Sequence, residues 1–63
     1  MRNDVMLYLE GYHRLYATME GELTGQLERA AIFELPGDHK VLNEFVKYLT
    51  NNYGPDRVGM EVV

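Results

Sequence analysis

His13 and His39 are the side chains of this 63-residue sequence whose type most readily serves as a general base. A histidine base needs a nucleophile beside it, and Ser and Cys do not occur. Thr18, Thr24 and Thr50 have no His nearby in sequence, so no catalytic set is expected and a surface position accounts for each His. Glu20 and Glu22 would share one side of a strand, where solvation explains them better than acid–base work. Gly21 and Gly25 lack the further Gly and the Lys-Thr or Lys-Ser of a phosphate-cradling loop. Glu10 and His13 form a single Glu-x-x-His pair. Two such pairs on helices build a di-metal site. One copy cannot complete that ligand set, so neither a metal site nor a cofactor is expected.

Tyrosine carries more information. Tyr makes up five of the seven aromatic residues, and Tyr8, Tyr12 and Tyr16 lie four apart. A tyrosine ring offers large apolar area, few rotatable bonds and a polar tip, the properties of an interface anchor. Acidic neighbours would select a basic partner and speed encounter with it. The candidate partner-binding residues are Tyr8, Glu10, Tyr12, Arg14, Tyr16, Glu20 and Glu22. The plainer alternative is that the rings half-cover an open sheet face.

These residues need elements to hold them. The clearest is a helix over about residues 38–53, with Asp38 as N-cap after Pro36-Gly37 and a stop at Gly54-Pro55. Leu42, Phe45 and Leu49 form its apolar stripe, widened by Val41 and Val46. Residues 56–63 alternate Val58, Met60 and Val62 with polar positions, as a strand does. Residues 27–35 alternate similarly, so strand, helix and strand form a unit of two parallel strands joined by a right-handed crossover. The N-terminal part fits two periods. Gly11, Gly21 and Gly25 would each cost about 1 kcal/mol inside a helix, and Tyr, Thr and Val suit a pleated surface. Two strands, about 4–10 and 12–20, are therefore expected, with a loop at 21–25; the alternative is a helix over about 4–20 followed by βαβ.

The expected fold is α+β, a small two-layer sandwich of order β-β-β-α-β. One helix lies on one face of a four-stranded sheet, and residues 1–63 form a single domain. Val5, Leu7, Leu15, Ala17, Met19, Phe33, Leu35, Met60 and Val62 would pack beneath Leu42, Phe45 and Leu49. A chain this short buries only roughly 60% of its unfolded surface, and without Cys no disulfide can supplement that.

Composition narrows the function classes. The net charge is −4, and residues 1–35 hold six acids against three bases. Basic residues are scattered singly, which argues against direct binding of nucleic acid. No stretch approaches the roughly 18 apolar residues of a membrane span, and no signal-peptide pattern opens the chain, so a soluble cytoplasmic protein is expected. The favoured function is a small protein-binding module, an inhibitor or adaptor rather than an enzyme, whose protein partner has a basic surface. Such a profile is common among phage-encoded proteins that block a host enzyme, an analogy of class carried by no motif. The alternative is a self-associating structural protein, a homodimer through the same face or through the strand at 57–63.

Overall fold

A computed structural model describes residues 3–63. The elements are β1 (Asn3–Leu9), β2 (Leu15–Ala17), β3 (Leu23–Thr24), β4 (Phe33–Leu35), α1 (His39–Tyr53) and β5 (Val58–Val62). Short 3₁₀ turns at Leu27–Arg29 and Pro55–Arg57 precede β4 and β5. The result is the expected α+β arrangement, one helix against a curled antiparallel sheet, with α1 lying on β1, β4 and β5.

β1 takes the centre because it is the longest strand and its Val5–Leu9 stretch is the most continuous apolar run. Val5 faces Phe33 across one edge and Val62 across the other, while Tyr8 faces Tyr16 and Gly59. β5 therefore follows one edge of β1, and β4 and β2 share the opposite edge end to end. β3 extends the sheet beyond β2. This corrects the crossover expectation: β4 and β5 run in the same direction, but β1 lies between them, antiparallel to both. A helix over 4–20 is excluded by the same ladder.

The sheet has five strands rather than four. Residues 12–20 supply only Leu15–Ala17 as strand, since the chain turns at residues 11–13 and again at 19–21. The loop expected at 21–25 contains β3, and Gly21 closes the preceding turn at φ +84°, a conformation that suits glycine. The strand expected over 27–35 is extended only at Phe33–Leu35, because its first residues wind into the 3₁₀ turn.

The two faces divide as the alternation predicts. Val5, Leu7, Ala17, Phe33, Leu42 and Leu49 join Ala31 in one buried cluster, with Leu35, Phe45, Val46 and Val58 packed around it. Phe33 meets Phe45 edge-on with ring centroids 5.2 Å apart. Leu15 is half-buried, whereas Met19, Met60 and Val62 are exposed and leave the expected core. A single helix about 10 Å wide cannot roof a sheet whose strands repeat every ~4.8 Å, so the edge positions stay open.

Asp38 stands at the expected N-cap position, its carbonyl accepting from Leu42 N–H at 2.9 Å, but its side chain is used elsewhere. Its carboxylate accepts from the Glu34 backbone N–H at 2.8 Å, tying the turn back onto β4, and makes no capping bond to α1. At the other end Gly54 ends the helix as expected, at φ +94° and ψ 140°, outside the left-handed helical region but still a conformation that favours glycine. Among the described residues, no helix is long and apolar enough to cross a membrane.

Candidate functional site

The face turned away from α1 is built by β1, β2 and β5. Successive residues of a strand point to opposite faces, so Tyr8, Tyr16, Gly59 and Glu61 share this one. Tyr8 lies directly over Gly59: a Cβ on that glycine would come within 2.4 Å of the Tyr8 Cζ. Glycine is required where a ring crosses a strand this closely. Tyr8 and Tyr16 meet edge to face with centroids 6.3 Å apart.

Arg14 ties this layer together. Its guanidinium carbon sits 4.0 Å from the centroid of the Tyr8 ring, a cation–π contact. Its Nη1 donates to Glu61 Oε1 at 2.9 Å, and its Nε donates to Glu10 Oε2 at 3.1 Å. Nη2 lies 2.9 Å from that same Glu10 oxygen. The Tyr16 hydroxyl donates to Glu61 Oε2 at 3.2 Å. Desolvation acts to lower the Arg14 pKa, but the hydrogen bond and charge of Glu10, helped by Tyr8 and Tyr16, outweigh it and hold the pKa above the ordinary arginine value. Arg14 therefore remains a cation across the working pH range.

Residues 10–14 form the loop between β1 and β2. The loop is pinned at its base, where Glu10 N–H donates to the Arg57 carbonyl at 2.7 Å and Arg57 Nε donates back to the Glu10 carbonyl at 3.0 Å. At its tip Tyr12 is 101% exposed, with the His13 ring roughly perpendicular to it at 5.4 Å between centroids. A loop pinned at its base thus carries an exposed aromatic ring.

Of the candidate residues, Tyr8, Glu10, Arg14 and Tyr16 come together in this one cluster, and Tyr12 projects from the loop they brace. Glu20 and Glu22 do not join them. They sit on the turn at the other end of β2, where Thr18 N–H donates to the Glu22 carbonyl at 2.8 Å. There Met19, Glu20 and Gly21 face Glu44, Phe45 and Tyr48 of α1 across an open groove of about 370 Å³. Glu61, Gly59 and Arg57 belong to the cluster yet were not among the candidates. Glu61 does fall at a polar position of the β5 alternation, but its partner Arg14 is 47 residues away in sequence.

The chain matches no protein-family model, no curated protein and no solved structure.

Chemically, the cluster is closed upon itself. Glu10 and Glu61 both hold Arg14, so their carboxylates are engaged in ion pairs. Glu10 and His13 lie in a loop, which removes the helical spacing that a di-metal pair requires. No group of three His, Asp or Glu side chains among the described residues could hold a metal ion. What the site offers outward is a ring, a rim of half-exposed charge and a rigid base.

Proposed function

We propose that this chain is a protein-binding module that acts by occupancy rather than turnover, as a stoichiometric inhibitor or adaptor in a cytoplasmic setting. The contact surface is the loop at 10–14 with Tyr12 at its centre. The observation that carries this is the complete exposure of Tyr12 on a loop pinned to Arg57 at its base and by Arg14 at its side. A pre-ordered loop loses little conformational freedom on binding, so more of the ring's burial appears as affinity. Tyr is also among the residue types that most often dominate an interface.

The partner is a protein with a basic surface. Arg14 offsets Glu10 and Glu61 locally, so the attraction to a cationic surface rests on the −4 carried by the chain as a whole. Such a field raises the rate of encounter with a cationic surface and is screened by salt. Tyr8 and Tyr16 are positioning residues in this scheme: they hold Arg14 and Glu61 and do not need to touch the partner. Affinity capture on the immobilised chain tests the proposal. A stoichiometric protein that is lost on Tyr12→Ala and eluted by moderate salt is the expected result. Capture of the same proteins in equal amount by Tyr12→Ala would overturn it.

A further inference from the structure

β5 leaves one backbone edge unpaired. Its ladder with β1 begins with the bond from Glu10 N–H to the Arg57 carbonyl and ends with Val63 N–H donating to the Asp4 carbonyl at 2.8 Å. In an antiparallel ladder every second residue bonds to the neighbouring strand. With Leu9 opposite Val58 and Val5 opposite Val62, residues 57, 59, 61 and 63 bond inward. The N–H and C=O groups of Val58, Met60 and Val62 therefore point away from β1, and no other strand among the described residues meets them. Met60 is 56% exposed and Val62 71% exposed along the same edge.

Proteins usually protect such an edge with Pro, Lys or a charge projecting across it. β5 has neither Pro nor Lys, and its one charge, Glu61, is turned to the opposite face and held by Arg14 and Tyr16. We propose that this edge pairs antiparallel with β5 of a second copy of the chain, in the register that sets Met60 opposite the second copy's Met60. Val58 then faces the second copy's Val62, and all the outward backbone groups of the strand are bonded. The apolar side chains form one continuous row across the two-fold axis.

Charge excludes one neighbouring register and the end of the strand excludes the other. With Met60 on the axis, Arg57 becomes the diagonal neighbour of the second copy's Glu61, an attractive pairing. Moving the axis to Glu61 would set two carboxylates face to face. Moving it to Gly59 would pair Val62 with Asp56, which lies in the 3₁₀ turn and cannot extend the ladder. The loops at 10–14 lie beyond the Leu9–Val58 end, so antiparallel pairing sends the two Tyr12 rings to opposite ends. Pairing is therefore independent of the Tyr12 surface.

Sedimentation of the full chain from micromolar to submillimolar concentration tests this. The wild type is expected to move from the 7.3 kDa chain mass toward twice that value. Met60→Lys and Met60→Glu each set like charges against themselves and should weaken pairing about tenfold or more. An equimolar mixture of the two variants, which sets Lys against Glu, should restore it. Far-UV circular dichroism identical to wild type for both variants shows that pairing, not folding, was lost. A wild type that stays at 7.3 kDa throughout overturns the proposal. So does undiminished pairing of either variant alone, or a mixture that fails to recover.

Discussion

Gly59→Ala is the most revealing single substitution in the Tyr8 layer. The new Cβ would lie 2.4 Å from Tyr8 Cζ, 2.5 Å from its hydroxyl oxygen and 2.9 Å from Cε1. The ring must swing off the strand, and it takes two contacts with it. The cation–π contact with Arg14 is worth about 0.5–1 kcal/mol at an exposed site, and the edge-to-face contact with Tyr16 about 0.5–1.5 kcal/mol. Against this, Ala reduces the freedom of the unfolded chain and gains about 0.4–1 kcal/mol. The net expectation is a loss of about 1 kcal/mol, or a fall in Tm of about 4–8 °C for a domain of this size. Urea denaturation followed by circular dichroism measures it. The decisive comparison is a cycle with Tyr8→Ala, since removing the ring removes the three atoms nearest the added methyl group and Gly59→Ala should become neutral or stabilising. If Gly59→Ala costs the same in both backgrounds, the ring is not what demands glycine there.

Three further outcomes follow from the core, the helix stop and the ion pairs. Phe33→Ala removes a fully buried ring and should cost about 3–5 kcal/mol, comparable to all the stability a core this small supplies, so the variant's circular dichroism should be that of an unfolded chain at 25 °C. Gly54→Ala forces a side chain onto a residue at φ +94° and should cost about 1–3 kcal/mol, read as a lower Tm with helix content retained in the cold. Glu61→Gln breaks an ion pair with a half-exposed arginine and should cost under about 1 kcal/mol, a difference that shrinks further in high salt.

The helix was legible because its signals are local: a Pro-Gly break before it, a Gly-Pro stop after it and an apolar stripe at helical spacing between them. The faces of the sheet were legible for the same reason, since Val5, Leu7 and Leu9 keep one phase and Tyr8 the other, with buried Met6 as the exception. Where strands stop and which ones pair is not local information. β2 shrinks to Leu15–Ala17 and β3 appears at Leu23–Thr24 because tight turns on either side cut the chain there. β1 separates β4 from β5 because it is the strand best able to be covered on both edges, a competition among distant segments. Met60 and Val62 alternate as core residues do, yet their strand is an edge that the helix leaves open.

The candidate site divides along the same line. Tyr8, Tyr16 and Glu10 announced themselves by type and by phase, and they do share the non-core side of the sheet with Arg14. Glu61 and Gly59 complete the cluster only through the β1–β5 ladder, which joins segments some 50 residues apart and leaves no local trace. Glu20 and Glu22 share the even phase, but the turn at 18–22 carries them to the far end of β2.

Tyr12 is proposed as the anchor of a protein contact. The direct measurement is the dissociation constant of the captured partner for wild type, Tyr12→Ala and Tyr48→Ala, the last removing another exposed tyrosine on the helix face. Anchoring by Tyr12 predicts a loss of about 2 kcal/mol or more, at least about thirtyfold in Kd, for Tyr12→Ala, and an unchanged Kd for Tyr48→Ala. Equal affinities for wild type and Tyr12→Ala, or a loss confined to Tyr48→Ala, would contradict it.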